Sequence, residues 1–130
     1  MRDAMIHIVE DDEAVRSALH LLMRSFGWCV CTYDSAEAFL ENSVQSSAPD
    51  CLLLDLDLPG MNGAELVEAL AAKQSEVPVI VLTGQRDSQL AARARRAGAL
   101  EVLEKPLFGE KLIGSIERAL ADGQRVGSVP

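Results

Sequence analysis

The sequence predicts one α/β domain: a five-stranded parallel sheet with helices on both faces. Three observations carry that expectation. Five strand-like segments alternate strictly with five helix-like ones. Two of the strand-like segments, 51–54 (CLLL) and 79–82 (VIVL), are continuous apolar runs, as strands covered on both faces require. No repeat or low-complexity tract breaks the alternation, and right-handed crossovers then leave the strands parallel. At 130 residues the chain is long enough to close a single hydrophobic core.

The elements follow in order. Ile6, His7, Ile8 and Val9 read as a short strand. After the acidic run EDDE, residues Val15, Ala18, Leu19, Leu22, Met23 and Phe26 recur at helical spacing, and Gly27 closes that helix. Asp12 and Glu13 suit its first turn, where the helix dipole favours acids. Residues 29–33 form the second strand. Asp34 or Ser35 can cap a helix carrying Ala38, Phe39 and Leu40, and Glu37 is placed for a capping box if Asp34 is the cap. The stretch NSVQSSAPD is a polar loop. The run ending at Leu54 is the third strand, PGMNG is a turn, and Leu66, Val67, Leu70 and Ala71 mark the third helix. The fourth strand runs to Leu82. Leu90, Ala91, Ala94 and Ala97 stripe the fourth helix, which stops at Gly98. Residues 101–104 are a weaker strand, and Leu112, Ile113, Ile116 and Leu120 mark the last helix. The domain is expected over 1–122, with 123–130 a frayed tail or the start of a linker.

Composition narrows the function. A formal net charge of -8 argues against this chain gripping a nucleic-acid backbone by itself. No apolar run approaches the ~18–20 residues of a membrane span, and the start MRDAMIHIVEDD is no signal peptide. The three cysteines fit buried free thiols in a reducing cytoplasm, and neither His7 nor His20 has a neighbour at zinc-ligand spacing. Arg86, Arg93, Arg95 and Arg96 form a basic patch that reads as a solvated helix face.

In open parallel sheets, ligands bind outside the carboxyl ends of the strands. Here the first strand hands over to Glu10 and Asp11, the third to Asp55, the fourth to Thr83 and the fifth to Lys105. Two like charges about 5 Å apart repel by about 3 kcal/mol at an effective dielectric near 20, so three close carboxylates invite a divalent cation. Oxygen-only ligands favour Mg²⁺. A carboxylate beside that metal can attack phosphorus, with lysine and hydroxyl stabilising the phosphoryl oxygens. The set fits phosphoryl transfer to Asp55.

These residues carry a family likeness. Over residues 5–122 the sequence resembles the receiver domain of two-component response regulators, through IVEDDE, LLLDLDLPGMNG, VIVLTG and EKP in family order. The resemblance implies a flavodoxin-like sheet of order 2-1-3-4-5 with five helices. It implies Asp55 as phosphoacceptor from a sensor histidine kinase and Glu10 and Asp11 as the metal-binding pair, with Asp11 the direct ligand. It also implies Asp57 as donor of a backbone carbonyl to Mg²⁺, for which Mn²⁺ could substitute. Thr83 matches the switch hydroxyl, Lys105 the lysine that contacts the phosphoryl group, and Pro106 a bond often cis in the family. One position departs: Val102 stands where the family usually has an aromatic ring. Output is therefore expected to rely on the loop after Thr83 and the helix that follows.

The SAEAFL stretch and the TG after the fourth strand look most like the FixJ-type transcriptional class. That class implies a cytoplasmic regulator, a phosphorylation-dependent homodimer, and DNA contact only through a separate output domain. The reading is thus not of an enzyme with turnover, beyond phosphorylating and slowly dephosphorylating itself. The rival is a haloacid-dehalogenase-type phosphatase, because Asp55-Leu56-Asp57 also looks like its Asp-x-Asp signature. Chain order disfavours it: there the Asp-x-Asp comes first, whereas Glu10-Asp11 precede it here. A nucleotide or flavin binder is weaker still, because the first strand–helix turn is acidic where phosphate cradling needs glycines.

Overall fold

The computed structural model describes residues 3–42, 49–105 and 109–128, with side chains described as far as 121. The expected polar loop after residue 42 therefore lies largely outside the described residues, as does Pro106. Strands β1 (Met5–Val9), β2 (Cys29–Tyr33), β3 (Cys51–Asp55), β4 (Val79–Thr83) and β5 (Glu101–Glu104) alternate with helices α1 (Glu13–Ser25), α2 (Ala36–Asn42), α3 (Gly63–Ala72), α4 (Gln89–Ala97) and α5 (Gly109–Ser128). All strand pairs are parallel, in the order β2-β1-β3-β4-β5.

The sheet separates two apolar layers. On one face Val9, Leu52, Leu54, Val79 and Val81 pack with Phe39 of α2, Leu66 and Val67 of α3, and Ala91 and Ala94 of α4. On the other, Ile6, Ile8, Leu53, Ile80 and Leu82 meet Met23 of α1 and Leu112, Ile113 and Ile116 of α5. Every residue of β3 and β4 is buried, which explains their unbroken apolar runs. Each buried Leu, Ile or Val side chain in them contributes about 1.5–3 kcal/mol on burial.

Helix ends follow local chemistry. Asp12 is the N-cap of α1, accepting from the Val15 N–H, rather than a first-turn acid. Asn62 and Glu65 form a capping box on α3. Ser88 caps α4, and Gly98 ends it at φ +116°. At α2 it is Ser35 whose hydroxyl accepts from the Ala38 N–H, and Glu37 turns elsewhere.

Several expectations need correction. In α1 only Met23 is buried and Leu19 and Leu22 half-buried, while Val15, Ala18 and Phe26 are exposed. That helix lies over the β1–β2 side of the sheet, so a narrower stripe is covered than its periodicity suggests. Of the cysteines only Cys51 is buried, with its thiol pushed up to about 12 first by burial and then by Asp50. Cys29 is exposed and Cys31 half-buried, because β2 is an edge strand. The expected tail is helical as far as Ser128. No proline falls within 109–128, and an isolated glycine costs a helix only about 1 kcal/mol.

Candidate functional site

Parallel pairing brings the carboxyl ends of β1, β3, β4 and β5 to one edge. Val9 is in register with Leu54, so the residues that follow, Glu10 and Asp55, emerge side by side. Asp55 pairs with Leu82, and Thr83 with Glu104. The ladder continues past the strands: Leu56 N–H donates to Leu82 O at 2.8 Å, and Lys105 N–H donates to Thr83 O at 2.7 Å. Backbone pairing, not side-chain attraction, therefore fixes where Lys105 begins.

The side chains converge accordingly. Glu10 is 2 % exposed and Asp55 4 %, whereas Asp11 is exposed. Glu10, Asp11 and Asp55 each offer an oxygen within 4.8 Å of the others, a group able to hold a metal ion. Lys105 Nζ donates to Asp55 Oδ1 at 3.3 Å and lies 3.6 Å from Glu10 Oε1. Burial, then the hydrogen bond and charge of Asp55, push Glu10 up to about 8, with Lys105 opposing. Burial pulls Lys105 down, but Asp55 and Glu10 outweigh it and the net shift is upward. Glu10 Oε2 is buried without a hydrogen-bond partner. An orphaned carboxylate oxygen in an all-oxygen cluster is the donor set that a hard divalent cation fits.

The remaining expected residues take different places. Asp57 is exposed and outside the three-carboxylate group; its backbone N–H donates to Asp55 Oδ1 at 3.2 Å. Thr83 is 1 % exposed, and its Oγ1 accepts from the Gln85 N–H at 3.2 Å. Val102 is buried between β4 and α4. In the basic patch, Arg93 grips Glu68 of α3 through two bonds of 2.9 and 2.6 Å, and Arg95 donates to the Arg86 carbonyl. No helix among the described residues is long and apolar enough to cross a membrane.

Three contributors escaped the sequence reading. Arg16 Nη1 donates to the Glu10 carbonyl at 2.9 Å, fastening the acidic turn from α1. A Cβ on Gly63 would lie 2.7 Å from Leu56 Cα and 2.8 Å from Asp55 O, so only glycine lets α3 start against the end of β3. Glu37 Oε2 accepts from the Met61 N–H at 2.9 Å, across the turn that follows Asp57. The last glycine of PGMNG was the available signal for Gly63. For Arg16 and Glu37 no spacing rule exists, because each partner is a backbone group on a separate element.

Residues 6–117 match the family described as the response regulator receiver domain. The transcriptional regulatory protein FixJ of Bradyrhizobium diazoefficiens is 35 % identical over 119 residues, covering 92 % of this chain and 58 % of that protein. The response regulator protein TmoT of Ectopseudomonas mendocina is 40 % identical over 119 residues, covering 92 % of this chain and 54 % of that one. The chain thus spans little more than half the length of these relatives. Among solved structures, the crystal structure of FixJ-N superposes with a TM-score of 0.84 at 38 % identity, covering 93 % of this chain and 96 % of that one. With the sheet order and the acidic edge already in place, these matches settle the family: the chain belongs to the receiver domains of two-component response regulators.

Proposed function

We propose that Asp55 accepts a phosphoryl group from a sensor histidine kinase, with Mg²⁺ held by Glu10, Asp11, Asp55 and the Asp57 carbonyl, and with Mn²⁺ able to replace it. The observation that carries this is the meeting of three carboxylates and one ammonium at Asp55. An Asp55 oxygen forms the bond to phosphorus as the phosphorus–nitrogen bond of the phosphohistidine breaks. The cation, when bound, neutralises charge on the acceptor and on the equatorial phosphoryl oxygens. Lys105 moves from Asp55 to a phosphoryl oxygen, and Thr83 gives up its local bond to do the same. Arg16 and Gly63 hold the acidic turn and the acceptor strand in place.

Phosphorylation then shifts a two-state equilibrium through contacts made only in the active conformer. A shift from 1:99 to 99:1 needs about 5.5 kcal/mol of differential stabilisation. The domain is taken as 1–122, leading through 123–130 to a DNA-binding output domain in a longer, cytoplasmic regulator. Homodimerisation on phosphorylation is part of this reading, and light scattering with and without beryllofluoride tests it.

The direct test is intact-mass analysis after acetyl phosphate and Mg²⁺, with peptide mapping. One added phosphoryl group on Asp55, absent in Asp55→Asn, is the expected result; labelling retained at another residue overturns the assignment. Catalytic release of phosphate from a small monoester would instead favour the phosphatase reading of Asp55-Leu56-Asp57.

A further inference from the structure

The turn between β3 and α3 carries Asp57, whose N–H donates to Asp55 Oδ1, and ends in the Asn62–Glu65 capping box; two further bonds tie it between them. At its base, Gly63 N–H donates to Leu56 O at 3.0 Å. At its crest, Met61 N–H donates to Glu37 Oε2 at 2.9 Å, a bond between groups 24 positions apart. Gly60, beside that bond, has φ +70°, and a Cβ there would lie 2.7 Å from Glu37 Oε2. The positive φ calls for glycine there by itself, and the turn brings that glycine against the Glu37 carboxylate. The Met61 N–H also holds the Glu37 carboxyl below its ordinary value. Glu37 reaches out from a fixed base, since α2 is capped by Ser35 and anchored by buried Ala36 and Phe39.

A solvated acid in the first turn of a helix needs no such partner, and helix-dipole satisfaction does not explain the reach to Met61. We infer that Glu37 is a positioning residue for phosphoryl transfer: by pinning Met61 it fixes the turn that presents the Asp57 carbonyl to the cation. This rests on the proposed role of Asp57. It makes α2 part of the device that sets Mg²⁺ affinity, although no atom of α2 belongs to the three-carboxylate group.

The test follows, across a Mg²⁺ titration of the full chain, both labelling by acetyl phosphate and the rise in melting temperature by circular dichroism, which reads Mg²⁺ binding without the reaction and confirms folding. Glu37→Ala is expected to raise the Mg²⁺ concentration for half-maximal labelling about three- to ten-fold, the range for loss of one partly exposed hydrogen bond. Saturating Mg²⁺ should restore its rate. Glu37→Gln keeps an acceptor oxygen and should recover most of the wild-type Mg²⁺ dependence. Should Glu37→Ala fail to fold, Glu37→Asp keeps the charge but is one methylene too short for Met61 and should shift the titration in the same direction. An unchanged Mg²⁺ dependence in a folded Glu37→Ala overturns the inference, as does a Glu37→Gln titration as shifted as that of Glu37→Ala. If wild-type protein is not labelled on Asp55 at any Mg²⁺ concentration, the functional reading itself fails, which is a different result.

Discussion

Lys105 Nζ donates to Asp55 Oδ1 at 3.3 Å, while the backbone N–H of the same lysine donates to Thr83 O at 2.7 Å. One residue thus links the Asp55 carboxylate to the strand end that bears the Thr83 hydroxyl. The ammonium offsets part of the repulsion among the Glu10, Asp11 and Asp55 carboxylates but leaves an excess of negative charge at the edge.

Removing one carboxylate should therefore stabilise the protein in the absence of metal. Above pH 8, where Glu10 is ionised, Asp55→Asn keeps the shape of the side chain and a partner for Lys105 while deleting charge beside Glu10 and Asp11. Its gain is expected at about 1 kcal/mol, or about 3–6 °C in melting temperature. Calorimetry in chelator measures it, and the same sample should take no label from acetyl phosphate. A lower melting temperature in Asp55→Asn would count against repulsion as the dominant force in the cluster.

Gly63 provides a test of how closely α3 must approach the acceptor strand. Any Cβ there meets main-chain atoms at 2.7 and 2.8 Å, and backbone buried on both sides cannot yield as a side-chain tip can. Gly63→Ala should cost about 2–3 kcal/mol in urea unfolding, as overpacking does. In the folded fraction it should also slow labelling, because Asp55 O and Leu56 would be displaced.

His7 predicts a pH dependence. Its ring is 1 % exposed, its Nδ1 lies 3.3 Å from the Tyr33 hydroxyl, Phe39 packs edge-on, and its Nε2 has no hydrogen-bond partner. Burial holds it below its ordinary 6.5, against an upward pull from Asp50. The folded state thus favours neutral imidazole. That stability is complete above 6.5 and is lost as pH falls from there towards the folded value, by at most about 1.4 kcal/mol per pH unit. Glu10 works in the opposite sense: with its folded pKa at about 8, its contribution declines as pH rises from 4.5 towards that value. The difference between wild type and His7→Leu isolates the histidine. The wild-type protein should lose stability relative to the variant on acidification below 6.5, and parallel curves would refute the account.

The particular residues show why some of this was legible beforehand. β3 and β4 announced themselves because two-sided burial leaves no polar alternation, and the site because its polar residues directly follow such runs. Edge and centre, however, differ in neighbours rather than in local pattern. The exposure of Cys29 on β2 was therefore invisible, as was that of Val15, Ala18 and Phe26 on α1. The same limit hid Glu37. Its short-range role, a capping box with Asp34, was a sound local reading, but the Met61 N–H offered a better partner across space. Arg16 was missed because its acceptor is a carbonyl, which carries no side-chain identity in the sequence.

The final prediction concerns how the switch moves without an aromatic ring. Val102 is buried, and a β-branched side chain has one stiff torsion, so it cannot swing between inward and outward positions. Motion must then be taken up by the segment after Thr83, where Gly84 has no atom within 4 Å of a would-be Cβ, and by α4. Besides the buried Ala91 and Ala94, α4 is tied to α3 by the pair between Arg93 and Glu68, at 2.6 Å with both side chains about two-fifths exposed (41 % and 42 %). At that exposure solvent screens the pair, so it biases an equilibrium but does not hold the fold. Glu68→Ala should therefore leave the melting temperature nearly unchanged. With beryllofluoride and Mg²⁺ it should enlarge the amide shifts over 84–97, or bring them to completion at lower beryllofluoride, while Val102 methyl signals keep one rotamer throughout. Amide shifts that are the same with and without the phosphate mimic would remove the loop and α4 as the output element.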